Sequence, residues 1–299
     1  MDQMKLSIER GTLLKALAQA QSVVERRNTI PILANVLIEA DGDHLDLRVV
    51  EPEARGACQR ELGRSARRVQ PLDAQRVFGP VGQTAVELAA RLQAVNPAVE
   101  LLGIEIDPER VAAAKNFESA QLHFIRGGFE IPLTSELEAI AHGKVHVIRA
   151  LNVLRQYDES EVRSAWSLMQ SRLTADGLLI EGTSDELGRI ASWVTLDRDR
   201  PILFSVSLRL NSIELPSKVA ERLPKVLIHK NVPGQPIHAF LTDLDAAWRS
   251  NAALGAFGAT QRWEATCSAL KQQGYQVQGN RKVWRLGEIT VPWDAVAPK

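Results

Sequence analysis

The chain has 299 residues, 45% of them apolar, enough for one large or two medium domains with a real core and too many for global disorder. Its 36 basic and 36 acidic residues cancel, so net charge does not steer the whole chain towards polyanions such as nucleic acid. Cys58 and Cys267 are the only cysteines, which excludes a disulfide framework or a thiolate metal cluster and suits a reducing cytoplasm.

The N-terminal stretch "MDQMKLSIERGTLLKALAQ" carries charges where a secretory signal would be apolar. No apolar run reaches the ~18 residues of a membrane span, so the expected location is cytoplasmic. Residues 1–50 are well patterned. Lys5 to Glu9 alternate, with Leu6 and Ile8 on one face, as in a half-buried strand. Residues 12–24 place Leu13, Leu14, Leu17, Ala20, Val23 and Val24 at helical spacing. "ILANVLIEADGDHLDLRVV" then reads as two strands joined by a hairpin turn at Asp41-Gly42-Asp43. Residues 51–80 lose this grammar: six arginines are scattered among Ala, Gly, Gln and Pro, as in a solvated linker.

From residue 81 the pattern returns. Thr84 and Glu87 make a T-x-x-E capping box at the start of "TAVELAARLQAV". "AVELLGIEI" is an almost unbroken apolar run, the mark of a strand buried on both faces. Asp107 can cap the next helix, with Pro108 at its first position. "QLHFIRGG" and "VHVIRAL" are further strands, "ESEVRSAWSLMQSRL" is helical in period with Asp158 as its cap, and "DGLLIEGTSD" is another buried strand. This alternation implies a parallel sheet with helices on both faces. The last 115 or so residues read as two strands around a charged turn, "ASWVTLDRDRPILFSVSLRL". Three helices follow, "SKVAERLPKVL", "IHAFLTDLDAAWRS" and "TQRWEATCSALKQQG", and "RKVWRLGEITV" closes the chain as a strand.

Ligands of open parallel sheets bind beyond the carboxyl ends of the strands. Three such ends carry suitable residues. Glu105, followed by Ile106 and Asp107, offers a carboxylate that can accept two hydrogen bonds from a ribose diol; as structure alone, the same loop is a helix-capping turn. Gly127 and Gly128 let backbone approach a ligand, and Phe129 can cover a flat ring or simply join the core. Asn152 follows the third strand and can hydrogen-bond a ligand, although Asn is common at such junctions. His229 and His238 lie nine apart with no cysteine pair or carboxylate beside them, which makes no metal site.

The order and spacing of "VELLGIEIDPERVAAAKNF", "LHFIRGGFEIPL", "VIRALNVLRQYDESEV" and "GLLIEGTSDELGR" resemble a bacterial class I S-adenosylmethionine-dependent methyltransferase over about residues 79–290. The resemblance implies a Rossmann-like sheet with S-adenosylmethionine as cofactor. It implies that Glu105 binds the ribose, that Ile106 packs on the adenine, that the loop at Gly128 and Phe129 flanks it, and that Asn152 lies near the methyl donor. With Asp107, and with Gly79 and Gly82 ahead of the first helix, these are the candidate cofactor-binding residues. The family's first strand ends in an acid and a glycine-rich turn. Here Gln75, Arg76 and Val77 precede Gly79, with no acid and no first glycine, and Asp73 is two residues too early. An adenine-contacting Asp is replaced by Gly128. Both departures predict weakened cofactor binding.

The first 50 residues resemble something else. "MKLSIERGTLLKALAQAQSVVERRNTIPILANVLIEADGDHLDL" is very similar to the start of a bacterial DNA polymerase sliding clamp, the β subunit, with Arg26 and Arg27 where a clamp faces DNA. The piece supplies about half of the clamp's first domain and cannot encircle DNA.

The expected organisation is therefore a clamp-like βαββ appendage (1–50), an irregular Arg-rich join (51–80) and a methyltransferase-like α/β domain with a C-terminal substrate-side extension (81–299). The first parallel strand is displaced, and a segment such as Leu45 to Val50 is expected to fill its slot. The expected function is methyl transfer from S-adenosylmethionine to a small-molecule acceptor; the alternatives are a truncated clamp acting with DNA polymerase subunits, or an inactive chimera. No D/N-P-P-Y/F motif follows "VIRA" and no Pro-Cys pair occurs, which sets aside DNA-base methylation, and no G-x-G-x-x-G precedes Glu105, which sets aside a nicotinamide dehydrogenase. The join reads as a recombination scar or a misread frame. Reading the encoding DNA in all three frames is expected to restore a "VDLG"-like strand ahead of Gly79; finding none rules out the frame explanation.

Overall fold

The computed structural model describes residues 35–40, 83–132, 144–185 and 187–299. Its first half contains β1 (Asn35–Ala40), α1 (Gln83–Gln93), β2 (Val99–Glu105), α2 (Pro108–Ala114), β3 (Leu122–Arg126) and β4 (Val145–Leu151). The chain continues through α3 (Glu159–Gln170), β5 (Leu173–Ser184), β6 (Ile190–Leu196) and β7 (Pro201–Leu208). It ends with α4 (Lys225–Ile228), α5 (Pro236–Ser250), α6 (Ala259–Gln272), α7 (Arg281–Trp284) and β8 (Glu288–Pro292).

The strands form a single sheet in the order β3-β2-β1-β4-β5-β6-β7-β8. β2 pairs with β3, and β4 with β5, in parallel. β1 lies between β2 and β4 and runs antiparallel to both. Four strands, β2 to β5, therefore point one way and β1 points against them. From β5 to β8 every pairing is antiparallel. The fold is α/β with a mixed sheet.

The occupant of the central slot departs from expectation. Leu45 to Val50, the segment expected there, lies outside the described residues; the slot holds Asn35–Ala40 instead. In its register Leu37 is opposite Leu102 on one side and Ile148 on the other. Both hydrogen-bonding edges of β1 are thus in use over that stretch. The turn expected at Asp41-Gly42-Asp43 and the strand expected after it lie outside the described residues. Part of the clamp-like segment is a strand of the main sheet.

Alternation along β2 shows how the sheet serves two cores. Val99 and Leu101 join Leu88 and Leu92 of α1, Ala114 of α2 and Phe124 of β3. Leu102 and Ile104 join Val162, Trp166 and Met169 of α3, Phe240 and Leu244 of α5, and Trp263 and Leu270 of α6. A period of two on a strand sends successive side chains to opposite faces, so helices cover both faces, as expected.

Three local readings need correction. α1 begins at Gln83, so Thr84 sits inside its first turn rather than at the cap. "SKVAERLPKVL" is not one helix but a 3-10 turn, Pro216–Arg222, followed by the single turn α4. The ring of Pro224 disfavours helical backbone before it, and Leu223 is extended at φ −71°, ψ 146°. In "RKVWRLGEITV" the first four residues form α7, and the strand starts only after Gly287. Gly287 has φ +84°, and a Cβ there would lie 2.0 Å from the Leu208 carbonyl oxygen, so only glycine makes this turn.

A proline in a central strand removes a ladder donor and leaves a buried carbonyl orphaned, at a cost of about 1–3 kcal/mol. Leu37→Pro is therefore expected to lower the unfolding free energy of the whole molecule, measured by urea titration, by that amount. A change within about 0.5 kcal/mol, the range of surface substitutions, would show that β1 is not an interior strand.

Candidate functional site

The carboxyl ends of β2, β3, β4 and β5 share one edge of the sheet, because these strands run in the same direction. β1 starts at this edge: Asn35 is opposite Ile104 and Ala150. The short connection from Ala94 to Ala98 returns the chain from α1 to the far end of β2, so the N-terminus of α1 also faces this edge. Gly79 and Gly82 lie outside the described residues.

Glu105 is the last residue of β2 and is only 6% exposed. Its Oε1 accepts the backbone N–H of Ile106 at 2.7 Å and of Asp107 at 3.2 Å. Its Oε2 is buried with no hydrogen-bond partner and stands 3.8 Å from Nε of Arg110. One oxygen is thus fixed by backbone, and the other retains acceptor capacity. Asp107 does not share this role: its Oδ1 accepts the N–H groups of Glu109 and Arg110 and caps α2, as expected. Ile106, between them, is half exposed.

The second loop follows β3. Gly127 donates to the Glu105 carbonyl at 3.0 Å, tying the two loops together. A Cβ on Gly127 would sit 2.4 Å from the ring of Pro132, so this close approach requires glycine. Gly128 donates to Oε1 of Glu130, and a Cβ there would crowd the same carboxyl group. Phe129 meets Tyr157, from the loop after β4, edge-to-face at 5.1 Å. Burial, and then the Glu161 carboxylate, push the Tyr157 phenol above its ordinary range.

Asn152 has φ +63°, a left-handed conformation that Asn tolerates better than most residues. Its Oδ1 accepts the Ser184 N–H at 2.9 Å, its Nδ2 donates to Ser184 Oγ at 3.3 Å, and its own N–H reaches the Gly182 carbonyl. The side chain therefore clamps the ends of β4 and β5 together. The structure brings Glu105, Ile106, Asp107, Gly128, Phe129 and Asn152 to one edge. Of these, Glu105 alone presents a buried polar atom without a hydrogen-bond partner. His229 is exposed, and His238 pairs with Asn231 at 3.2 Å. Among the described residues no three His, Cys, Asp or Glu side chains form a metal-type cluster, and no helix is long and apolar enough to cross a membrane.

Similarity to known proteins falls on the other end of the chain. Residues 4–55 match the family model of the DNA polymerase III beta subunit, N-terminal domain. Beta sliding clamps from two strains of Caulobacter vibrioides are each 62% identical over 48 residues, 16% of this chain and 13% of theirs. The N-terminal segment is clamp-like. The chain spans about an eighth of the length of those clamps, and β1 lies within the matched stretch.

Two buried ionisable groups escaped sequence reading. Arg149 in β4 is 2% exposed and Glu181 in β5 is 1% exposed. They sit on adjacent rungs, with Arg149 opposite Ile180 and Glu181 opposite Ala150. Ile180 and Ala150 belong to different cores, so the two charges face opposite sides of the sheet and do not pair. The signal in the sequence was a single charge inside each apolar run, "VHVIRAL" and "LLIEGTS". Burial lowers Arg149 to about 10 and raises Glu181 to about 8. The Trp166 indole N–H offsets part of the latter shift. Burial therefore favours the neutral form of Glu181.

Folding that holds Glu181 protonated takes up a proton once the unfolded chain has lost its own, above the ordinary value of 4.5. Its contribution is full below pH 4.5 and declines as pH rises to about 8, by at most about 1.4 kcal/mol per unit. Glu181→Gln removes the titration. The urea midpoint of the native chain should fall relative to this variant between pH 5 and 8. Parallel curves would contradict a neutral buried carboxyl.

Proposed function

We propose that residues 83–299 carry S-adenosylmethionine-dependent methyl transfer to a small-molecule acceptor, on a Rossmann-like sheet of the class I methyltransferase kind. The observation that carries this reading is Glu105: a buried carboxyl at a strand's carboxyl end, one oxygen anchored by two backbone N–H groups and the other without a hydrogen-bond partner. That arrangement fits a vicinal diol, whose hydroxyls would donate to the carboxylate in strong, charge-assisted bonds. S-adenosylmethionine, when bound, supplies an electrophilic methyl group. The protein's part is alignment rather than acid–base chemistry, because a direct displacement depends chiefly on holding donor and nucleophile in line.

In this reading Glu105 holds the ribose. Ile106, half exposed beside it, offers an apolar surface for the adenine, which the loop at Gly128 and Phe129 would flank. Asn152 acts through its backbone, since its side chain is engaged with Ser184. Gly79 and Gly82, outside the described residues, are further candidate cofactor-binding residues in this reading.

Calorimetric titration with S-adenosylmethionine tests the reading. Saturable heat at micromolar ligand is expected, and Glu105→Ala should weaken binding by about 10–100-fold, the equivalent of one charge-assisted hydrogen bond of about 1.5–3 kcal/mol. Absence of heat at high micromolar ligand rules out an active methyltransferase, and equal binding by the variant rules out the role of Glu105.

A second reading rests on the 62% identity of the N-terminal segment to beta sliding clamps: a truncated clamp that associates with DNA polymerase subunits. It predicts co-purification of a polymerase subunit that is lost when residues 1–34 are removed, with no response to S-adenosylmethionine. Failure of both tests favours an inactive chimera.

A further inference from the structure

The connection between α5 and α6 carries Phe257, at 74% the most exposed large apolar side chain among the described residues. Phe257 ends the 3-10 turn Ala252–Phe257, "AALGAF", in which Ala252, Ala253 and Ala256 are exposed as well. No side chain from Ala252 to Gly258 is charged or can form a hydrogen bond. Single exposed apolar residues are ordinary, but a loop made only of them is not.

Cations flank this loop. Between Ala246 and Gly287 the chain has six basic residues, Arg249, Arg262, Lys271, Arg281, Lys282 and Arg285, and one acid, Glu264, although its overall net charge is zero. Glu264 is buried and holds Arg281 at 2.7 Å and Arg285 at 3.4 Å. These ion pairs fix α7 beside α6 while the two arginine side chains stay largely exposed. Glu264 lies six residues beyond Gly258, the cap of α6, or roughly 9 Å along the axis at 1.5 Å per residue. On another side of α6, Arg262 donates to the Trp248 carbonyl at 2.9 Å and stacks on the Trp248 ring, beside the exposed Arg249. The start of α6 thus sets the apolar loop between cations of α5 and α7. Leu286, exposed, follows Arg285, and Glu214, also exposed, borders the face where its carbonyl accepts the Trp248 indole N–H. β7 runs in the direction of β5, so its end at Leu208, bonded to the Gly287 carbonyl, stands at the same edge of the sheet as Glu105.

We propose that this face docks on an anionic lipid bilayer. Phe257 and the alanines beside it enter the boundary between headgroups and acyl chains, and the guanidinium groups of Arg249, Arg281 and Arg285 meet lipid phosphates. Peripheral binding of this kind joins buried apolar area to the attraction between cations and acidic headgroups, and it needs no spanning helix. A single-stranded nucleic acid would also satisfy the cations and could stack one base on Phe257. It would leave the three exposed alanines and Leu286 in water, whereas a bilayer covers them together. This inference is independent of methyl transfer.

Co-sedimentation of the full chain with lipid vesicles tests it. Binding is expected to vesicles of equal parts phosphatidylglycerol and phosphatidylcholine, not to phosphatidylcholine alone, and it should weaken as salt screens the charges. Phe257→Ser should weaken it by about tenfold, the equivalent of losing part of one buried aromatic side chain. Arg249→Gln should weaken it as well and reduce its dependence on salt. Both positions are exposed, so neither variant should shift the urea unfolding midpoint. No binding to the acidic vesicles overturns the proposal, as does equal binding to phosphatidylcholine alone or by Phe257→Ser. Release of the protein from acidic vesicles by a single-stranded oligonucleotide at equal phosphate concentration overturns the choice of a bilayer.

Discussion

Everything described depends on the strand between β2 and β4. Backbone N–H and C=O groups in an apolar interior must be paired, and β2 and β4 each turn one edge toward that slot. β1 closes both edges at once, with Leu37 opposite Leu102 and Ile148. Were the slot vacant, two unpaired edges would face each other in the middle of the sheet, and the two cores could not be continuous across it. A strand of six residues thus holds the β3–β2 half to the β4–β8 half. It comes from the stretch that matches the clamp family model, residues 4–55, while its partners lie outside that stretch.

The same strand shapes the candidate site. A strand parallel to its neighbours would end at the edge where Glu105 and Asn152 lie, and its following loop would stand at that edge. β1 begins there instead, so the edge receives the start of a strand rather than its end. What remains is the half built from β2 and β3: Glu105 with one oxygen anchored by backbone and the other beside Arg110 without a hydrogen-bond partner, tied to Gly127 through the Glu105 carbonyl. Asn152 and Ser184 are engaged with each other and keep β4 and β5 aligned at this edge. The chemistry of the edge is therefore concentrated on a single carboxylate.

Elements with strong local pattern were legible in the sequence. "VHVIRAL" is β4 residue for residue, Asp107 and Pro108 start α2, and Asp158 starts α3 with Glu161 accepting its N–H at 2.8 Å. Their cause is local: apolar runs, side-chain caps and proline's fixed φ. The failures had non-local or competing causes. Nothing in "NVLIEA" reveals its place in the sheet, since edge and interior strands need the same apolar run, and the slot is fixed by β2 and β4. Pro224 overrode a helical period in "SKVAERLPKVL", and Gly287 delayed the last strand. Glu105 was legible because acids at strand ends are chemically distinctive. The structural engagement of Asn152 was not, because its partner Ser184 is 32 residues away. The opposite facing of Arg149 and Glu181 follows from register, which no single strand reveals.

Native-state hydrogen exchange, read at the amides of residues 35–40, tests the central claim most directly. If β1 is the interior strand that unites the sheet, its amides share the protection of Val99–Glu105 and Val145–Leu151 and exchange only with global unfolding. Exchange of 35–40 many orders of magnitude faster than those two strands would contradict the account.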